Sequence, residues 1–402
     1  MGERMPFKES FIRQKSFLLT FSLVLNAVTW FYAIAYMIEF TAPALVPFAS
    51  SLRWLFYLAV VVSALIGPII AERVNKMRFL FFWVLLGVIS SLFPMVLPTF
   101  GNYEVAMLLV FWGFAFGIGF PSCLALIPTL TKVEERGRAG GKTFLATYAI
   151  LPFFLLAIGH LDIFSGSLLL AAWRSLSLGV FLLHVNTDDV VQLKPVSYFS
   201  ILRRRTFLLY FLPWLAFGLV NYFETQVLEQ FYGESMAALM VIVAFMVGSL
   251  FCLIAGWLMD LKGRKQVIIA GLVMLGLGYA LLSLFPLIPL VQAFYMIVDG
   301  IAFGIFTVAF IFVVWGDMLN GERGEKFYAL GNIAIPMAVM LSIFISPWLK
   351  MIDASSAFSL ASFFLFLAII PIFFAPELLP EKILKEREIK KYVEEAKKVA
   401  RR

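Results

Sequence analysis

The sequence predicts an all-α integral membrane protein, with twelve transmembrane helices arranged as two pseudo-symmetric six-helix bundles. Three observations predict it. Composition is the first: 62% hydrophobic residues, 14% charged residues and 44 phenylalanines in 402 residues give more apolar surface than a soluble core of that size can hide. The second is length, because apolar runs of about 20 residues, enough for a helix to cross a hydrocarbon layer about 30 Å thick, recur along the whole chain. The third is internal repetition at half the chain length.

The apolar runs fall near 16–38, 52–71, 79–97, 105–130, 143–160, 166–184, 206–224, 236–259, 266–286, 289–316, 328–349 and 355–375. The first follows a polar leader, 1–15, and is too long for a signal-peptide core, so it reads as a retained span. With the N-terminus inside, 29 of the 32 Lys and Arg residues lie in the leader, the inner loops or the tail. The other three are Arg53, Arg174 and Lys350. This bias predicts cytoplasmic termini in a multi-pass cell-membrane protein. The resulting organisation is an N-terminal bundle over 1–184, a cytoplasmic linker over 185–205, a C-terminal bundle over 206–380 and a tail over 381–402. In the tail, Ile389, Tyr392, Val393, Ala396 and Val399 recur at helical spacing opposite a basic face, which suits either the anionic inner leaflet or a solvated helix.

The net charge of +7 would suggest nucleic acid in a soluble domain. Here the basic residues occupy short loops and set topology, so no nucleic-acid partner is expected. Cys123 and Cys252 both fall inside apolar runs, which leaves no disulfide framework, zinc site or redox pair. Gly137-Arg-Ala-Gly-Gly141-Lys142-Thr143 looks like a phosphate loop, but its glycines lie too close together and no strand precedes it. With two histidines in the chain, metalloprotease and His-based triads are unsupported. The expectation is a protein that is not an enzyme, with no cofactor and no metal.

The repeat is explicit in the residues. An offset of 187 sets Gly113-Phe-Ala-Phe-Gly117-Ile on Gly300-Ile-Ala-Phe-Gly304-Ile, and Glu135-Arg136-Gly137 on Glu322-Arg323-Gly324, so span 4 recurs as span 10. The Gly-x-x-x-Gly steps at Gly113/Gly117 and Gly300/Gly304 predict close helix approach in both halves. An offset of 188 sets Glu72-Arg-Val-Asn75-Lys76 against Asp260-Leu-Lys-Gly263-Arg264. The second copy, Gly256-Trp-Leu-Met-Asp260-Leu-Lys-Gly263-Arg264-Lys265, is a tight basic turn between two spans. Gly263 supplies a left-handed backbone there, with Asn75 as the next-best residue in the first copy. Asp260 would suit the positive end of a neighbouring helix or an Arg partner.

This pattern, G-x-x-x-D-x-x-G-R-K, resembles the signature loop of the major facilitator superfamily, which lies between spans 2 and 3 and more weakly between spans 8 and 9. In this chain the better copy is the second. Pro376-Glu377-Leu-Leu-Pro380-Glu381 is similar to a Pro-Glu motif that closes span 12 in several branches. With twelve spans and two related halves, the resemblance covers nearly the whole chain and leaves the subfamily unassigned. The Gly-Pro-rich span 5 motif of drug/proton antiporters is absent from Thr143 to Gly159, where only Pro152 stands. The resemblance implies a secondary, non-ATP transporter of a small organic solute working by alternating access, with a proton as the candidate coupling ion and a monomer as the assembly. A drug or metabolite exporter and a non-transporting solute sensor are the alternatives. It also implies that Glu72 and Asp260 latch the inner side shut with the basic turns and the opposite half; Arg136 and Arg323 are the candidate partners.

Polar residues inside the spans mark the candidate site, since a centred charge costs about 2.5–3.5 kcal/mol on insertion scales. Asp299 lies about 15 Å into span 10 and matches Trp112 at the 187 offset. It is expected to hold a cationic or hydroxyl-bearing group or to carry a proton, or else to be a structural acid. Asn26, equally deep in span 1, would bind solute or join two helices. Glu39 and Glu224 are placed at the outer ends of spans 1 and 7 as solvated rim charges or an outer gate, with Asn221 one turn before Glu224. Arg174, two turns into span 6, is expected to snorkel or to pair within its half.

Overall fold

The computed structural model describes residues 4–46, 48–182, 193–349, 351–383, 385 and 389. Among the described residues, twelve helices are long and apolar enough to cross a membrane: Phe17–Ala44, Ala49–Ala71, Lys76–Thr99, Asn102–Leu130, Val133–His160 and Ile163–Phe181 in the first half, then Arg205–Tyr232, Glu234–Lys262, Arg264–Leu284, Pro289–Asp317, Glu325–Leu349 and Ala354–Phe374 in the second. They are called spans 1 to 12 below. The first helix begins at Arg4, so the described part of the polar leader is helical and continues directly into span 1. Lys350 and the tail residues Tyr392, Val393, Ala396 and Val399 lie outside the described residues.

Packing repeats with the sequence. In the N-terminal half, span 1 packs on spans 5 and 6, span 2 on span 4, and span 3 on span 6; in the C-terminal half the pairs are 7 on 11 and 12, 8 on 10, and 9 on 12. Adding six to each number of the first set gives the second. Between halves, span 5 meets span 8 and span 2 meets span 11, again related by the same shift. Two bundles related by a pseudo-twofold axis account for every one of these pairs.

Glycines set the closest of these approaches. A Cβ on Gly113 or Gly117 would fall within 3.0 Å of span 2 backbone at Phe56 or Val60. On Gly300 or Gly304 it would crowd Ala244 and Gly248 of span 8 in the same way. Spans 4 and 10 are also irregular at matching places. Span 4 breaks between Gly117 and Phe120, and span 10 changes at Thr307 to a π-helical stretch that runs to Val313. Pro121 favours the break in span 4, because it has no N–H to offer the Gly117 carbonyl. Such breaks re-aim side chains and are frequent where helices line a functional space. Many large apolar side chains, among them Phe82, Met107, Phe153, Leu250 and Phe373, lie exposed on the outside, as a lipid-facing surface requires.

Candidate functional site

The face carrying the 2–3, 4–5, 8–9 and 10–11 loops, called the basic face here, holds the densest polar network. Its centre is Asp260, at the end of span 8. One carboxylate oxygen accepts from the Gly137 N–H at 2.8 Å and the other from the Arg138 N–H at 2.9 Å, so the side chain caps the N-terminus of span 5 in the opposite half. A carboxylate there meets both unpaired donors and the positive end of the helix dipole. Spans 5 and 8 come close enough because Gly137 faces Gly256 and Gly141 faces Cys252 backbone to backbone.

Beneath this cap lies a buried ionic chain. Arg264 is fully buried and donates to Asp260 at 3.2 Å and, through Nε, to Asp317 at 2.8 Å. Asp317 also pairs with Arg136 of the N-terminal half. Arg264 therefore does more than hold a turn at the surface; it is the ionic core of the basic face. Gly263 has φ +98° and leaves room for Glu377, whose carboxylate accepts from the Arg264 and Lys265 N–H groups and caps span 9. The Lys265 ammonium reaches the Phe373 and Ala375 carbonyls at the end of span 12.

The first loop copy behaves differently. Asn75 has φ −63° and ψ 124°, and its side chain accepts from the Met77 and Arg78 N–H groups. It is an N-cap in extended backbone and not a left-handed turn, because span 3 starts one residue later and its free donors claim the amide. Glu72 pairs with Lys326 of span 11 at 2.8 Å, Lys76 pairs with Glu325 at 2.9 Å, and Arg323 donates to the Glu72 carbonyl. Both candidate partners thus lie at the interface with changed roles: Arg136 meets Asp317, and Arg323 meets backbone.

The linker adds a strap. Lys194 forms a short parallel bridge with the 10–11 loop, its N–H donating to Gly321 and its carbonyl accepting from Arg323. Arg204 grips Glu322 with both terminal nitrogens, at 2.7 and 2.6 Å. These bonds and the guanidinium charge hold the Glu322 carboxyl below the usual carboxylate range. A depressed folded-state value means that the pair contributes above the ordinary carboxylate range and is lost as pH falls through the lower folded value. Hydrogen exchange across 194–204 should therefore quicken on acidification below that range, and a rate independent of pH after correction for intrinsic exchange would contradict it.

Mid-membrane, the two halves contrast. Arg174 is fully buried in the N-terminal half, so it does not snorkel; it donates to Asn26 Oδ1 at 3.0 Å and stacks over Trp83 at 4.4 Å. The Asn26 amide in turn donates to the Trp173 carbonyl, tying span 1 to span 6. In the C-terminal half, Glu224 is buried, and its Oε2 has no hydrogen-bond partner among the described residues. The expectation of an exposed rim charge fails here because span 7 continues two turns past it, to Tyr232; the apolar run stops at the first acid but the helix does not. Glu39 is exposed and pairs with Arg53. Asn221 is half-buried one turn inward of Glu224, and its carbonyl accepts from Thr225. Asp299 is half-buried, with no ion pair or hydrogen bond among the described residues. Trp112, its counterpart in the repeat, donates to the Ser90 carbonyl.

Between the halves, one turn along span 10 from Asp299, lies an aromatic cluster. Tyr148 of span 5 meets Phe303 of span 10 at 5.1 Å and Phe245 of span 8 at 5.5 Å between ring centroids, and Tyr32 of span 1 meets Phe245 at 5.7 Å. The Tyr148 and Thr307 hydroxyls lie 3.4 Å apart across the interface. Sequence reasoning did not single out these aromatics, nor Asp317. The 44 phenylalanines hide any one of them, and Asp317 falls on Leu130 in the repeat, so no symmetric partner flags it.

Comparison with known proteins follows the same lines. A family model described as Major Facilitator Superfamily matches residues 206–402. No curated protein matches the chain in sequence. Among solved structures, the human organic anion transporter MFSD10 (TETRAN) superposes with a TM-score of 0.68 at 12% identity, covering 90% of this chain and 98% of that one. The proton:xylose symporter XylE gives a TM-score of 0.68 at 15% identity, with 92% and 97% covered. A bacterial homologue of the iron transporter ferroportin in its outward-facing state gives 0.68 at 13%, with 90% and 98% covered. At these identities the likeness is one of fold.

Proposed function

This chain belongs to the Major Facilitator Superfamily, and from that premise we propose that it is a secondary transporter moving a small organic solute by alternating access. In this reading the basic face lies in the cytoplasm, as its Lys and Arg content favours. The single observation that carries the reading is the capping of span 5 by Asp260 across the two halves. It joins the bundles through polar contacts that can part and re-form at one end of the molecule, as rocking about a central site requires.

Asp260→Ala removes the cap and one partner of Arg264. The expected loss is about 2 kcal/mol from the closed basic face, or roughly a thirtyfold shift in the equilibrium. Reaction of Cys252 with a maleimide, measured in a Cys123→Ser background, should rise accordingly, and an unchanged rate would remove the latch. Asp299 and Glu224 are the central groups of the proposal, as carboxylates held in the spans without a cationic partner among the described residues. With a solute found by thermal-shift screening at two pH values, Asp299→Asn should lower transport about tenfold or abolish its pH dependence. Transport with both features intact would exclude Asp299 from solute binding and coupling.

A further inference from the structure

Among the described residues, the C-terminal half carries two membrane-embedded carboxylates that no basic side chain meets. Asp299 has no polar partner among the described residues, and Glu224 is buried with Oε2 unpartnered. Both lie within electrostatic reach of the Tyr279 and Tyr295 phenols, which bond to each other at 3.1 Å. Each carboxylate sits about 12–15 Å from the end of its helix opposite the basic face, close to mid-membrane. Ionised, a carboxylate in that position is stabilised by a cation, and among the described residues this half of the protein places no basic side chain against either one.

The nearest surface on the same helix is aromatic. Asp299, Phe303 and Thr307 follow one another at a spacing of four and so share a stripe of span 10. Phe303 and Thr307 already touch Tyr148 of the other half, and Phe245 and Tyr32 complete the cluster. Four aromatic rings beside an unpaired carboxylate attract a cation whose charge is spread over carbon, since ring faces are negative and give no hard oxygen cage. A small metal ion would instead demand several oxygen ligands, and no group of three or more His, Cys, Asp or Glu side chains suited to a metal occurs among the described residues.

We propose that the transported solute is an organic cation of the amine or quaternary ammonium class, its charge held by Asp299 and Glu224 and its carbon shell by Tyr32, Tyr148, Phe245 and Phe303. This deepens the transporter reading above and rests on it. Arg174, confined to the interior of the N-terminal half by Asn26 and Trp83, is not part of this site.

The test uses the purified full chain and follows tryptophan fluorescence on heating with benzyltrimethylammonium, its neutral carbon isostere neopentylbenzene, or sodium ion. The ammonium probe should raise the unfolding temperature in a saturable way while the isostere and sodium do not. Asp299→Asn and Tyr148→Leu should each weaken its apparent affinity about tenfold, and Asp299→Glu should retain most of it. Equal stabilisation by the neutral isostere, stabilisation by sodium alone, or an Asp299→Asn response equal to wild type would overturn the proposal. So would no response to the ammonium probe. The Cys252 labelling described above separates the two readings: if Asp260→Ala opens the basic face but no ammonium binds, the substrate class falls and alternating access stands.

Discussion

Replacing Gly256 with leucine is expected to hold the basic face open. A Cβ at Gly256 would lie within 3.0 Å of the Gly137 carbonyl carbon and oxygen, and a Cβ at Gly137 would meet the Gly256 oxygen just as closely. Both obstacles are backbone, so no rotamer relieves them; the helices themselves must separate. Overpacking of this kind costs about 1–3 kcal/mol for small intrusions, and a leucine side chain adds three further carbons. Gly256 stands one turn before Asp260, so the same wedge lifts the carboxylate from the Gly137 and Arg138 N–H groups. Separation of spans 5 and 8 breaks no contact within either bundle. The variant should therefore fold, label at Cys252 at least about tenfold faster, and lose transport by stalling in one state. Gly218→Ala is the control, because its new Cβ would meet the flexible end of Ile335 and the Ala338 methyl at 3.1 Å or more, with backbone no nearer than the Ala334 oxygen at 3.8 Å. A folded Gly256→Leu protein with wild-type labelling would show that the face closes without this seam.

The second large effect is expected at Asp317. Its carboxylate is fully buried and serves two guanidinium groups, Arg264 of its own half and Arg136 of the other. Asp317→Ala leaves both cations in place with their shared anion gone. Breaking a buried pair from one side costs about 3–5 kcal/mol, because the surviving charge stays desolvated. Unfolding followed by tryptophan fluorescence should move down by several degrees, and the basic face should loosen at the same time. Asp317→Ala combined with Arg136→Met should recover part of the loss, as the double variant removes one of the stranded charges. A double variant no more stable than Asp317→Ala would mean that Arg136 contributes little to the network.

Topology was legible in the sequence because hydrocarbon thickness fixes span length and the repeat fixes the relation of the halves. Gly263 could be read from the turn it must make, and Asp260 from its place beside a basic loop. Where the reading stopped short, the cause was local. Glu224 closed an apolar run in sequence but not a helix, since a helix of twenty-eight residues can carry one buried acid without ending. Asn75 is matched to glycine by the repeat, whereas the free donors of a helix start, two of which it accepts from, decide what an asparagine does there. Asp317 has no partner in the repeat, and its two arginines come from positions 53 and 181 residues away, a distance that no periodicity reports.

The strap bears on how motion could be watched. Lys194 and Arg204 fasten it to the 10–11 loop, and Val196 and Ile201 are buried, while its one described side-chain bond to the first bundle runs from the Tyr198 hydroxyl to the Leu65 carbonyl. When the bundles part, this short segment should ride with the second one. A dye attached at the exposed Phe199 would then act as a passenger on the C-terminal bundle, and its distance to a second dye on span 3 would give a ruler for each cycle.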